Sequence, residues 1–393
     1  MNASRISAIV LAMRQNIDIQ DKNEEAVIKR LDKQTDFKSL RIKKMLGLPD
    51  LARKADSPIK FIVDKVVDLP RFKDFDIVSI PKIVSVADNF DTLNSPKDHP
   101  SRRESDTYYV DKDLILRTQT TVYWPYYYRR PDILKQLAEK GEAGALCYGL
   151  VFRKDEIDRK HFPAFHQIDG VYICKKSKKT IVQQDLKDVL VDIVKALYGE
   201  KVEYRFLPDE FPFTVESIQI EIMVNGAWLE IVGSGLVNPI VMRNLNIDPE
   251  VYNGWAFGFG LDRLAMIQNG IPDIRILWSE DPRITSQFKD INSQFKEVSK
   301  YPSTLRDISF VVDKSMSLNS YYEIAREYAG NLIEEMTLLD TYENPKKFGE
   351  GKVSYTFRIV YRSPERTLTN EEVNSIQEKI RERTQEDLKA VLR

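Results

Sequence analysis

Three short stretches of the chain hold most of the side chains able to act on a phosphate or an amino acid. The first, GLVFRKDEIDRKHFPAFHQIDG (149–170), sets Arg153 at the end of one apolar run, with Phe165, Gln167 and Asp169 at alternate positions of another. Alternation puts those three on one face of a strand. An arginine rooted in a sheet can grip a phosphate through two parallel hydrogen bonds. A phenylalanine nearby can stack on a purine, and a polar pair can hold an ammonium. A surface hairpin of ion pairs fits the same residues equally well. The second stretch, GWAFGFGLDRLAMI (254–267), offers glycines at 254, 258 and 260 and an arginine, Arg263, one turn into a helix. It has neither the phosphate-loop pattern, which GEGKVS at 349–354 also lacks, nor a dinucleotide fingerprint. Packing glycines between a buried helix and strand are the plainer alternative. In the third, LPDEFPFTVES (207–217), Phe211 and Phe213 flank a proline, so both rings could meet an aromatic ligand in one pocket. Taken alone, such rings are more often core. Gly233 and Gly235 just beyond allow close backbone approach.

Composition excludes several other chemistries. The three histidines are His99, His161 and His166, too few and too badly spaced for a His/Cys metal site or a Ser-His-Asp triad. Cys147 and Cys174 cannot make a disulfide framework and fit a reducing compartment. Lys+Arg of 59 against Asp+Glu of 60 leaves a net charge of −1, so any RNA contact must come from local patches. One such patch, Lys38 to Lys54, reads more readily as a solvated helix face. No membrane span is expected, since the apolar run from Ala8 to Met13 is far too short. Residues 1–17 carry Arg5 and Arg14 and no acid, a faint likeness to an organelle transit peptide.

The elements that must position these residues follow from periodicity. At 393 residues the chain has room for two or three domains. Residues 1–85 show helical spacing and are expected to form a mostly helical extension. From about 106 to 262 strand-like runs dominate: TYYV, LILRT, CYGLVFR, VYICK, IQIEIMV and WLEIVG. One helix interrupts them at about 183–198, through the apolar stripe Leu186, Val189, Leu190, Ile193 and Val194. A large antiparallel sheet flanked by helices is expected over 86–285. Ser286–Lys300 reads as a polar connector. Beyond Tyr301 the order β-α-β-β-α is that of a small ferredoxin-like sandwich. Its last helix opens on Thr369 with Glu372 three residues on, a capping box. The fold class is therefore α+β.

The order and wording of these segments resemble the catalytic chain of phenylalanyl-tRNA synthetases. NFDTLNSPKDHPSRRESDTYY (89–109) resembles their first class II motif, 149–170 the second, and 254–267 with GIPDIRILWSED the third. Residues 301–393, with RDISFVVD and YRSPERTLTNEEV, look like the family's ferredoxin-fold anticodon-binding domain. Its fusion to the catalytic chain resembles the single-chain, organellar-type enzyme. The resemblance implies ATP-dependent formation of phenylalanyl-adenylate and transfer to tRNA(Phe), by one chain acting as a monomer without a partner subunit. The location it leaves is the cytoplasm, with the mitochondrial matrix as the alternative.

Carried over, Arg153 would bind the α-phosphate and Arg263 the γ-phosphate of ATP, with Phe165 on adenine. Asp155 and His161 would line the nucleotide end, and Glu230 would be a Mg²⁺ ligand. Gln167 and Asp169 would hold the substrate ammonium, with Gln119 and Thr121 nearby. Phe211, Phe213, Ala256 and Gly258 would shape the phenyl pocket, beside Gly233 and Gly235. Adenylate formation is expected to use only residues before about 280. The C-terminal unit would meet tRNA through residues such as Arg306, Lys346, Lys347, Lys352, Arg358 and Arg362. The chain departs from the family's usual residues at Gln119-Thr120-Thr121, Asp169, Ser105 and Thr214.

Overall fold

Residues of alternating polarity in the middle of the chain pair into one eight-stranded sheet in the computed structural model, which describes residues 14–224, 226–297 and 301–393. The strands in chain order are β1 (Asn16–Asp18), β2 (Asp76–Ser79), β3 (Ile83–Ser85), β4 (Leu114–Leu116), β5 (Glu142–Phe152) and β6 (Ala164–Lys175). They continue with β7 (Tyr204–Pro208), β8 (Thr214–Val224), β9 (Ala227–Val237) and β10 (Tyr252–Gly260). The large sheet runs β1-β2-β5-β6-β10-β9-β8-β7, and β3 and β4 form a separate pair. The pairings from β5 to β7 are antiparallel; β1 and β2 add on in parallel. Helices Pro58–Val67, Gln183–Tyr198 and Leu261–Gln268 bury one face against Phe257, Phe259, Ile220 and Val232. The other face packs on the aromatic helix Tyr123–Tyr128 and helix Pro239–Asn244, and leaves Phe165, Gln167, Gly233 and Gly258 of β6, β9 and β10 half-buried along what is called the cleft.

The second sheet joins β11 (Thr304–Asp313), β12 (Ile333–Tyr342), β13 (Lys352–Tyr361) and β14 (Val391–Leu392) in the order β12-β13-β11-β14. Helices Leu318–Ala329 and Asn370–Leu388 cover one side, burying Phe310, Tyr321, Phe357 and Ile380. The Thr369 hydroxyl accepts from Glu372 N, and the Glu372 carboxylate accepts from Thr369 N. A cap of this kind contributes about 1 kcal/mol.

Three features depart from the sequence reading. Residues 1–85 hold helices Lys22–Leu31, Phe37–Leu46 and Pro58–Val67, but also β1 and β2, which extend the large sheet. Strands of three and four residues carry no countable period, and their partners lie far along the chain, Asp76 opposite Ala145. The run TYYV makes a single bridge, Tyr109 to Ile115, instead of a strand. The polar connector is anchored: Phe288 and Ile291 are buried, and Asn269 Nδ2 donates to the carbonyls of Ile291 and Ser293. Most of the basic N-terminal stretch, residues 1–13, lies outside the described residues. Among the described residues, no helix is long and apolar enough to cross a membrane.

Candidate active site

Register fixes the end of the cleft that holds Asp169. β5 and β10 flank β6, so Asp169 lies opposite Cys147 on one side and Gly258 on the other. Alternation leaves Phe165 and Gln167 half-buried on the cleft face and turns His166 and Ile168 into the core. Asp169 is only 6% exposed. Its carboxylate accepts from Thr120 Oγ1 and, at 3.1 Å, from Thr121 Oγ1. Burial pushes this carboxyl up to about 7, against the Thr121 hydrogen bond and the charges of Arg153 and Arg117. A buried acid of this kind can receive a cation, which would restore its ionised form. Gln167 Oε1 accepts from Thr120 N at 3.2 Å, which fixes the amide beside it. A methyl at Gly258 would overlap the Asp169 carboxylate, so only glycine leaves the acid room. Gln119 turns aside, its Nε2 donating to Asn89 O at 3.2 Å.

The aromatic wall stands next to this anchor. Phe211 and Phe213 stack at 5.8 Å and 13°, and Phe213 meets Trp124 edge-on at 6.0 Å and 77°. Gly233 makes room for Phe211, whose ring atom would lie 2.6 Å from an added methyl. Gly235 does the same for Thr214, whose hydroxyl shares a 2.8 Å hydrogen bond with Ser217. Ala256, opposite Gly235 and Val171, is buried in the same apolar cluster as Trp124 and Phe213. The loop carrying both rings is pinned at Pro212 O, which accepts from Asn94 Nδ2 at 3.1 Å and Asn238 Nδ2 at 3.0 Å.

The other end of the cleft is cationic and more open. Arg153 follows directly on β5; its Nε donates to Thr118 O at 2.9 Å, and its guanidinium stands 5.2 Å from the Phe165 ring centre. Burial draws its pKa below the ordinary arginine value, with Asp155 and Asp169 opposing. Arg263 is exposed in the first turn of helix Leu261–Gln268. Glu230 is exposed; partial desolvation beside the sheet raises its carboxyl, Asp209 adds to this, and the charge of Arg263 pulls it back. Glu230 and Arg263 therefore lie within one another's field. Oxygen donors of this type suit a hard cation such as Mg²⁺, and Glu221 opposite Glu230 is already paired with Arg205 at 2.6 Å. Asp155 has its Oδ1 on Glu156 N, and His161 Nδ1 sits 2.9 Å from Asp158 Oδ1, a hydrogen bond that raises the imidazole pKa.

The loop 153–161 does not stand alone. Ile157 is buried in the core of the C-terminal unit, and its carbonyl accepts from Met336 N at 2.7 Å. Arg326 Nη2 donates to the carbonyls of Asp155 and Glu156, each at 2.8 Å. Arg159 and Arg362 both pair with the buried Glu334. Tyr108 Oη donates to Glu323 at 2.7 Å, and Asn319 Nδ2 to Asp106 at 3.2 Å. Residues well beyond 280 thus shape the end of the cleft that carries Arg153. Arg362 is consequently committed to this seam, while Arg306 bonds Asn370 and Asn374 at 2.9 Å each. Arg358 pairs with Asp307 at 2.8 Å on the side of the small sheet away from its helices, and Lys352 lies 4.0 Å from Asp313. Lys346 and Lys347 are exposed on the short helix Pro345–Phe348.

Sequence reasoning missed Thr120, Trp124, Asn94 and Asn238 as parts of the site. Only the Thr-Thr pair ahead of an aromatic run offered a signal; the asparagines act through contacts distant in sequence.

The family description "tRNA synthetases class II core domain (F)" matches residues 44–288, and "Ferredoxin-fold anticodon binding domain" matches 299–393. The chain is 37% identical over 364 residues to the chloroplastic/mitochondrial phenylalanine–tRNA ligase of Arabidopsis thaliana, covering 88% of this chain and 80% of that one. It is 34% identical over 405 residues to the mitochondrial enzyme of Dictyostelium discoideum, covering 86% of each. The phenylalanine–tRNA ligase alpha subunit of Clostridium novyi is 37% identical over 244 residues, covering 59% of this chain and 68% of that one.

Proposed function

The chain belongs to the phenylalanine–tRNA ligases, class II synthetases with a ferredoxin-fold anticodon-binding domain, and we propose that the cleft over β6, β9 and β10 is where it activates phenylalanine. Its reaction is ligation of phenylalanine to tRNA at the expense of ATP. In our reading, Asp169 and Gln167 hold the substrate ammonium, and the ring enters against Phe211, Phe213, Trp124 and Ala256. This leaves the carboxylate facing Arg153. Phe165 stacks on adenine, Arg153 takes the α-phosphate and Arg263 the γ-phosphate.

The carboxylate then attacks the α-phosphorus in line, and pyrophosphate leaves. The guanidinium of Arg153 stabilises charge that grows on the α-phosphoryl oxygens, the kind of contact that lowers a barrier most. A terminal hydroxyl of tRNA next attacks the adenylate carbonyl, releasing AMP. No covalent enzyme intermediate is needed. Mg²⁺ held at Glu230 would neutralise phosphate charge. Lys346, Lys347, Lys352 and Arg358 are the candidates for tRNA contact, the first two most accessible. Arg306 and Arg362 are weaker ones, given their existing partners. Catalytic and anticodon-binding modules on one chain support work without a partner subunit. Relatives named as mitochondrial or chloroplastic support an organellar address over the cytoplasmic one.

The observation that carries this reading is the line Phe165–Gln167–Asp169 along β6, with Arg153 over its first ring and the stacked phenylalanines beside its buried acid. ATP–pyrophosphate exchange with each of the twenty amino acids tests it. Exchange with phenylalanine, and tyrosine roughly 100-fold poorer, is expected, because a hydrophobic pocket rejects an added hydroxyl only modestly. A different preferred amino acid would overturn the pocket assignment.

A further inference from the structure

His166 and Asp262 lie behind the cleft, yet His166 is the chain neighbour of two proposed ligand groups and Asp262 of one. His166 sits between Phe165 and Gln167 on β6, and Asp262 immediately precedes Arg263. Both are buried, His166 at 0% and Asp262 at 3% exposure. β10 ends at Gly260, opposite Gln167, so the main-chain N–H of His166 has lost its strand partner on that side. The Asp262 carboxylate takes the missing place, accepting from His166 N at 2.5 Å. The same carboxylate lies 3.1 Å and 3.3 Å from His166 Nδ1.

The far side of the ring fixes its tautomer. His166 Nε2 accepts from Leu51 N at 3.0 Å, so it presents a lone pair, and the proton is on Nδ1, donated to Asp262. Asp50 Oδ1 is 3.7 Å from Nε2, and the ring packs on Trp278 at 5.3 Å. One side chain of helix Leu261–Gln268 is thus tied to both the backbone and the ring of one residue of β6. Successive residues on a helix differ by about 100°. Asp262 can therefore face the strand while Arg263 faces the cleft. On the strand, alternation turns Phe165 and Gln167 to the cleft while His166 turns away from it.

We infer that His166 and Asp262 are positioning residues that set the distance between Phe165 and Arg263, and so the span over which the nucleotide is held. The inference rests on the assignment of those two residues to ATP. It concerns the nucleotide alone. In the ammonium anchor, Asp169 takes its geometry from Thr120, Thr121 and Gly258, and Gln167, although next to His166, is held by Thr120 N.

The test is phenylalanine-dependent pyrophosphate exchange by full-length His166→Asn and Asp262→Asn. Asparagine at 166 can still donate to Asp262 but leaves Leu51 N without its acceptor. Asparagine at 262 keeps the shape and loses a carboxylate oxygen. Active sites are counted by the adenylate burst, so unfolded protein drops out of the rate. A displacement on the order of 1 Å costs about 100-fold in rate. The expected result is therefore a 10- to 100-fold fall in kcat/KM for ATP, with KM for phenylalanine within about threefold of the wild type. Equal losses toward both substrates would show a merely structural role and overturn the inference. In a double-mutant cycle, adding Asp262→Asn to Arg263→Ala should cost little further, because the first change acts through the second side chain. Multiplying fold-losses, after a large effect of Arg263→Ala alone, would sink the coupling and leave the site reading intact. No effect of Arg263→Ala would sink the site reading, and this inference with it.

Discussion

At the end of the cleft proposed for the amino acid the walls are strands, or loops tied to strands, of a single unit: Asp169 between two hydroxyls, Phe211 over Gly233, Pro212 held by two asparagines. At the end proposed for the nucleotide the charged groups reach out on long side chains, and the loop after Arg153 is held by residues from the other unit. The difference suits the proposed ligands. A phenyl ring offers only shape and must be measured by fixed walls, since a single methylene is worth about 1–3 kcal/mol there. A triphosphate offers several charges, each worth more, and tolerates longer and more mobile partners.

If that contrast holds, damage at each end should appear in a different kinetic constant. The largest effect is expected at the nucleotide end. In the proposed site, Arg153→Ala and Arg263→Ala each remove a charge-assisted contact that strengthens in the transition state. Each should cost about 3 kcal/mol, or roughly 100-fold in pyrophosphate exchange. Unchanged kinetic constants in both would mean that the ATP site lies elsewhere.

The next effect belongs to the amino-acid end and depends on pH. Burial holds the Asp169 carboxyl of the free protein near 7, and an ammonium requires it ionised. Below about pH 7, kcat/KM for phenylalanine should fall about tenfold per unit, while KM for ATP stays level. Stability runs the opposite way. A carboxyl raised in the folded state from its ordinary 3.8 contributes stability below that value, and loses it as pH climbs through about 7. Asp169→Asn should flatten this component of both curves. A pH-independent kcat/KM in the unaltered enzyme would remove Asp169 from ammonium binding.

The smallest effect sharpens the comparison instead of breaking it. Arg326, in the C-terminal unit, holds the carbonyls of Asp155 and Glu156. Arg326→Ala should raise KM for ATP by about fivefold and leave KM for phenylalanine alone. A rise in the phenylalanine constant of the same size would mean that the two ends are not built independently.

The sequence made the amino-acid end legible wherever local pattern governs it. Alternation along β6 was enough to group Phe165, Gln167 and Asp169, and the glycines of β9 and β10 marked where side chains approach the backbone. What remained hidden depends on contacts between distant residues. Asn94 reaches Pro212 across 118 positions, and Arg326 reaches Asp155 across 171, with no local signature at either end. Ile157, an isolated apolar residue in a charged loop, was a clue to the seam, but nothing nearby says which core receives it. Strands as short as β1 and β2 have too few residues to show a period.

The most direct test is a crystal structure of the full chain with a non-hydrolysable phenylalanyl-adenylate analogue. The expected result has the phenyl ring against Phe211, Phe213 and Trp124, the ammonium on Gln167 and Asp169, and adenine on Phe165 under Arg153. An analogue bound in reverse, or outside the cleft over β6, β9 and β10, would contradict the assignment of both ends.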